Sequence, residues 1–265
     1  MAMAVHGIPH MRADTRTMAF LRSFMRCYLT GAAFNTRGMQ NIGLMYAMLP
    51  GLTAIHEDPK ALKAALKRYA RHYQSHPFWT PCMVGILLNV ETTISAGHFP
   101  PRMLGKVKDT TSYTLSAIGD SVFAGSALIF WALLTICLLL TGYPALAFAI
   151  GLAFFLGLQI FRAYTFACGV KQGFRFLEKL RRWDLINWGT KVKYANAALL
   201  LWLWTLIWPR PYDWWEFAVG LSALMLFGRY VRTGLLSRVL AVAVFVGLIE
   251  FFPWMETTAR TAFGL

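Results

Sequence analysis

His72 and His76 stand four residues apart, a spacing that on one helix would aim two imidazoles at a single metal ion. A zinc site needs a third ligand and, if catalytic, a bound water. No His-Glu-x-x-His accompanies the pair, and Pro77 directly after His76 is a helix-ending signal, so packing or helix-end hydrogen bonding is the preferred role. Gly119-Asp120-Ser121 offers a serine beside a carboxylate. Hydrolysis at Ser121 would need a histidine to accept its proton, usually placed late in the chain. The last histidine is His98, so no downstream base exists. The four cysteines, Cys27, Cys82, Cys137 and Cys168, form no Cys-x-x-Cys pair and read as buried free thiols. There is no phosphate-cradling Gly-rich loop and no dinucleotide fingerprint. The sequence therefore predicts no catalytic residue, no metal and no cofactor.

Two carboxylates remain. Glu91 follows the apolar run 78–90, and Asp120-Ser121 precedes a longer one. A carboxylate ahead of a helix is normally a cap. An ionisable group next to an apolar segment also marks a solute path when that segment lies in lipid. The composition points to lipid: 57% of residues are hydrophobic and only 14% charged, against about 25% charged in soluble domains. The net charge of +14 would suit nucleic acid or cytoplasmic membrane edges. The basic residues flank apolar runs, and no zinc-finger or RNA-recognition pattern exists, so nucleic acid is set aside.

The elements that would hold these residues fall into two regions. Region 1–121 holds amphipathic, interfacial and broken membrane helices. Between Thr17 and Thr30, Met18, Leu21, Met25 and Tyr28 share one face opposite Arg22, Ser23 and Arg26, predicting an interfacial helix. Asp58-Pro59 predicts an N-cap and first helical residue. The stripe Leu62, Leu66, Tyr69 and Tyr73 carries that helix to His76-Pro77. The thirteen residues 78–90 are short for a crossing and suit a re-entrant helix. Region 122–265 is transmembrane. Val122 to Phe161 holds no Asp, Glu, Lys or Arg, enough for two spans of about 20 residues turning at Thr141-Gly142-Tyr143-Pro144. Arg162–Lys193 carries eight basic residues and two acids, predicting a cytoplasmic basic loop 162–193. Tyr194–Pro209, Trp214–Gly228 and a last helix to about Phe252 bring the crossings to about five. The first sixteen residues lack an apolar core, so no cleavable signal is expected and the N-terminus is placed in the cytoplasm. The fold class is all-α, a polytopic membrane protein.

Several blocks resemble one family in order: Phe20-Leu21-Arg22-Ser23-Phe24; Asn35, Met39-Gln40 and Gly43; Pro50; Leu66-Lys67-Arg68 through His76-Pro77-Phe78; Gly85-Ile86 and Glu91; Ile118-Gly119-Asp120-Ser121 with Phe123 and Gly125-Ser126; then Arg162, Gly169 and Gly173. Over about residues 20–185 the chain resembles the IID membrane component of the mannose/fructose/sorbose class of the bacterial phosphoenolpyruvate-dependent sugar phosphotransferase system. It departs from the family at Tyr69, at Tyr73-Gln74-Ser75, at Ser112–Ala117, at Ala124 and at Gln159.

The resemblance implies a non-catalytic permease subunit in the bacterial inner membrane. It would pair with a IIC membrane subunit as a hetero-oligomer in membrane lipid, and form the path for a mannose-type hexose. Cytoplasmic A and B domains would supply the phosphoryl group. Sugars need directional hydrogen bonds, so Asn35, Gln40, Glu91, Asp120 and Ser121 are the expected substrate contacts. The departures leave a rival: a structural or regulatory membrane protein that kept the fold without transport. A membrane-embedded enzyme working through Ser121 is a further rival.

Overall fold

The computed structural model describes residues 13–207 and 214–231, together with Val239. All regular structure among the described residues is helical, apart from isolated bridges joining Met39 to Asn35 and to Tyr73. Two units divide the chain, Met1–Leu206 and Ile207–Leu265.

In the first unit, α1 (Ala13–Arg26) runs into a 3₁₀ turn, Cys27–Ala33. Its expected apolar stripe does exist, but Met18, Leu21, Met25 and Tyr28 are exposed, while Ala19, Ser23, Cys27 and Thr30 are buried. A seam of small residues faces the protein and the large apolar ones face outward, as helices in lipid arrange themselves. The seam meets α2 (Asn41–Ile55), where the Gly51 N–H donates to Ser23 Oγ at 3.1 Å.

Helix α3 (Pro59–Tyr69) begins as read: the Asp58 carboxylate accepts from the N–H groups of Lys60 and Ala61. It ends seven residues short of His76. The backbone of Tyr73 is taken instead by the 38–40 segment: Tyr73 N–H donates to Gly38 O at 3.2 Å, and Gln40 N–H donates to Tyr73 O at 2.9 Å. Those long-range bonds win over the helical continuation, so His72 and His76 do not share a helix.

Helix α4 (Thr80–Ser95) is the apolar 78–90 segment, and its residues from Thr80 to Leu88 are all buried. Its main partner is α7 (Pro144–Gln172), and the two backbones nearly touch. A Cβ on Gly169 would stand 2.7 Å from the Cys82 carbonyl oxygen, and one on Gly85 would strike the Phe166 carbonyl. Only glycine permits that approach.

Helix α5 (Pro101–Gly119) does not stop before the apolar run. It continues through a π-helical turn, Asp120–Ala127, into α6 (Leu128–Leu140), making one helix of 40 residues. Asp120 therefore caps nothing; its backbone is helical (φ −62°, ψ −41°). The turn to α7 falls at Thr141-Gly142-Tyr143 as expected, with Gly142 at φ +84°. Trp131 and Phe154 stack across this hairpin, centroids 6.1 Å apart. The two long helices, Pro101–Leu140 and Pro144–Gln172, are both long and apolar enough to cross a membrane.

The basic segment 162–193 is helical for most of its length. Its start, Arg162–Gln172, finishes α7. Next come α8 (Arg175–Arg182), with Phe176 and Leu180 buried, and α9 (Leu185–Ile207). In the second unit α10 spans Trp214–Val231. The expected last helix, to Phe252, lies outside the described residues.

Candidate functional site

Three polar clusters contain the five residues expected to contact substrate. The first joins the 34–41 turn to the 70–76 segment. Asn35 Oδ1 accepts from Gly38 N–H at 2.7 Å and from Arg37 N–H at 3.2 Å. Its Nδ2 donates to Met39 O and Asn41 Oδ1. That side chain closes a turn in which Met39 holds φ +57°. Gln40 Oε1 accepts from Ser75 N–H at 3.3 Å, and Asn41 Nδ2 donates to Ala70 O at 2.7 Å. Asn35 and Gln40 are thus brought together, each already using hydrogen bonds within the chain.

The second cluster centres on Glu91, which is fully buried. Arg68 donates to both oxygens, Nε to Oε1 at 3.0 Å and Nη2 to Oε2 at 2.6 Å. Tyr69 Oη donates to Oε1 at 2.8 Å, and His56 Nε2 lies 2.8 Å from Oε2. Each oxygen has two donors, about the full capacity of a carboxylate. Burial alone would raise the Glu91 pKa; the donors from His56, Arg68 and Tyr69 outweigh it and hold the group below its ordinary value. In this conformation Glu91 ties the end of α2 and the last turn of α3 to α4.

The third cluster surrounds the π-helical turn. Asp120 is exposed, and Ser121 is half-buried. Gly119 lets the 76–79 segment press against the helix, since a Cβ there would strike His76. The His76 ring stacks on Phe123, centroids 5.3 Å apart, and Phe78, Trp79 and Phe161 also pack on Phe123. Burial lowers the His76 pKa, while the Asp120 charge opposes that effect. The wider turn is visible in the bond from Leu128 N–H to Phe123 O, five residues back. Ser126 Oγ sits 2.8 Å from Ser121 O and 3.0 Å from Gly189 O on α9. Asn196 Nδ2 donates to Ser126 O at 3.0 Å. Single π-helical turns of this kind concentrate at functional sites.

A cavity of about 450 Å³ opens between α5 and the α8–α9 connection, lined by Trp79, Thr111, Thr114, Arg181 and Asp184 among apolar side chains. Its size lies within the about 300–1,000 Å³ typical of small-molecule pockets. None of the five expected residues lines it. The indole N–H of Trp79 and Oδ1 of Asn196 are buried without a hydrogen-bond partner among the described residues. Sequence reading gave no role to Trp79 or Asn196 and quoted Ser126 only within the Gly125-Ser126 block; an asparagine and a serine beside long apolar runs were the signals at hand. No group of three His, Cys, Asp or Glu able to hold a metal gathers among the described residues.

A sequence profile described as "PTS system mannose/fructose/sorbose family IID component" matches residues 15–195. The mannose-specific EIID component of Escherichia coli strain K12 is 25% identical over 105 residues, 39% of this chain and 37% of that protein. The protein of the same description from Escherichia coli O157:H7 matches to the same extent. The matched stretch thus spans little more than a third of these curated relatives. Two solved structures share the fold over nearly the whole chain. One is a cryo-EM structure of the mannose transporter ManYZ in complex with microcin E492. Its TM-score is 0.53 at 20% identity, covering 97% of this chain and 99% of that one. The other, described as a membrane protein, has a TM-score of 0.65 at 17% identity, covering 94% and 97%.

Proposed function

The chain belongs to the IID-component family of the mannose/fructose/sorbose phosphotransferase system, and from that premise we propose that it forms, with a IIC membrane partner, the translocation path for a mannose-type hexose. In this reading it is a multi-pass subunit of the bacterial inner membrane with a cytoplasmic N-terminus. It carries out no chemistry itself; cytoplasmic A and B domains deliver the phosphoryl group. About five crossings follow residue 121, and α4 is a re-entrant element enclosed by its neighbours.

The observation that carries the reading is the π-helical turn inside a 40-residue helix whose second half is free of charge. Irregular backbone at membrane depth is tolerated where it is buried in protein or lines a wet cavity, and transporters use such breaks to face polar substrates. Asp120 and Ser121 lie in this turn and supply acceptors and a donor for sugar hydroxyls. Asn35, Gln40 and Glu91 belong to the same proposal as groups that exchange an internal partner for substrate during movement.

A second reading, a scaffold or regulatory subunit without transport, is favoured by one observation: Asn35, Gln40 and Glu91 are all engaged within the chain. One experiment separates the two. Uptake and phosphorylation of labelled hexose are measured in cells holding the IIC, A and B components, with and without this chain. We expect uptake to require the chain, and Asp120→Asn to lower it at least tenfold at unchanged membrane abundance. Equal uptake with and without the chain defeats the transport reading and leaves the scaffold.

A further inference from the structure

Arg162 lies in α7 immediately after the forty ion-free residues and is only 7% exposed. Its guanidinium carbon stands 3.7 Å from the ring centroid of Tyr28 and 6.0 Å from that of Phe78. No ion pair to it occurs among the described residues, and its Nε is buried without a hydrogen-bond partner. Tyr28 gives it only a ring face, because its hydroxyl donates to Gln159 Oε1 at 2.6 Å. Four of the chain's acids have other partners: Glu91 pairs with Arg68, Asp109 with Lys108, Asp184 accepts from Asn187, and Asp58 caps a helix.

Burying one ion costs several kcal/mol even after relaxation. The cation–π contact with Tyr28 offsets only part of that cost. The charge is therefore under-compensated where it stands. Ionisable groups within membrane helices pair with one another or line a solute path. The surface beside Arg162 is also uncovered and apolar, with Tyr28, Leu29, Ile160 and Tyr164 exposed. A chain of net charge +14 is best complemented by an acidic group from outside it.

We propose that Arg162 is the receptor for a carboxylate presented by the membrane partner subunit, bound through the planar fork that matches arginine to a carboxylate. The inference rests on the hetero-oligomeric reading above. In the isolated chain the charge is a burden; in the assembly it is half of a pair.

The test compares Arg162→Met and Arg162→Lys with the native chain, each purified alone in detergent and co-expressed with the IIC subunit. The expected result has opposite signs. Arg162→Met leaves the Tm of the isolated chain unchanged or higher, yet lowers recovery of the complex at least tenfold. Arg162→Lys keeps part of the pairing, since it retains charge without the fork. A fall in the isolated chain's Tm with Arg162→Met assigns the arginine an internal partner and overturns the proposal. Normal recovery of the Arg162→Met complex overturns it too, while leaving the hetero-oligomer standing. So does a native complex that is recovered only when anionic phospholipid is added, which assigns the Arg162 site to a lipid phosphate. A native chain that pairs with no IIC subunit defeats the hetero-oligomeric reading, and this proposal with it.

Discussion

Replacing Glu91 by glutamine tests the logic of the packed N-terminal region. The carboxylate is fully buried and takes two hydrogen bonds from Arg68, one from Tyr69 and one from His56. An amide keeps the shape but offers one acceptor oxygen and turns a donor toward Arg68 or His56. Breaking a buried pair from one side costs about 3–5 kcal/mol, because the other charge stays behind. The Arg68 side chain is 21% exposed and recovers some solvation, so the lower end, about 3 kcal/mol, is expected. For a chain of this size that is a fall in Tm of about 6–12 °C.

The pH dependence has a definite sign. The folded pKa of Glu91 lies below its unfolded value, so its stabilisation is present above the unfolded pKa, near 4.5, and is lost as pH falls through the folded one. The gap between native and variant should be full at pH 7 and shrink in acid. Thermal unfolding in detergent, followed with a thiol-reactive dye, suits the measurement: all four cysteines are free and buried, and burial pushes the Cys27 thiol pKa up to about 12. A Tm loss under about 2 °C, or a gap that widens on acidification, would refute the view that this carboxylate is held as a satisfied ion.

Gly85→Ala should cost about 1–3 kcal/mol by driving α4 off the α7 backbone, whereas Gly157→Ala, with open space at its Cβ, should not destabilise. Tm values of the two variants in detergent check this; equal behaviour would mean that the helices do not pack as closely as described. Reporter domains fused at Lys179 should report the cytoplasm and those at Gly142 the exterior, following the eight basic residues of 162–193. Opposite labelling would invert the proposed orientation.

Much of the fold was legible where one local cause dominates. The uncharged stretch 122–161 announces a helical hairpin because lipid tolerates no unpaired backbone, and Thr141-Gly142-Tyr143 breaks it where the chain must turn. Asp58-Pro59 starts α3 for reasons contained in those two residues. The misreadings share a different cause. The stripe through Tyr73 favours continued helix, but strand-like bonds to Gly38 and Gln40, more than thirty residues away, take its backbone. Asp120-Ser121 reads as a cap only if a helix starts there; α5 passes straight through as a π-helical turn that Ser126 ties to Gly189 on α9.

The candidate residues divide along the same line. Sequence alone picks out Glu91 and Asp120, because a carboxylate beside apolar residues is rare and therefore conspicuous, whereas Arg162 stands in it only as the first residue of the basic segment and within a family block. It also determines the membrane setting and the family, since composition and ordered motifs survive without coordinates. Only the tertiary structure decides which charge is satisfied. Glu91 meets donors on three residues from two segments, while Arg162 meets an aromatic ring and no acid among the described residues. The physical reason is range: turn, cap and lipid preferences act over a few residues, whereas pairing a buried charge depends on whatever distant segment the packing brings within 3 Å.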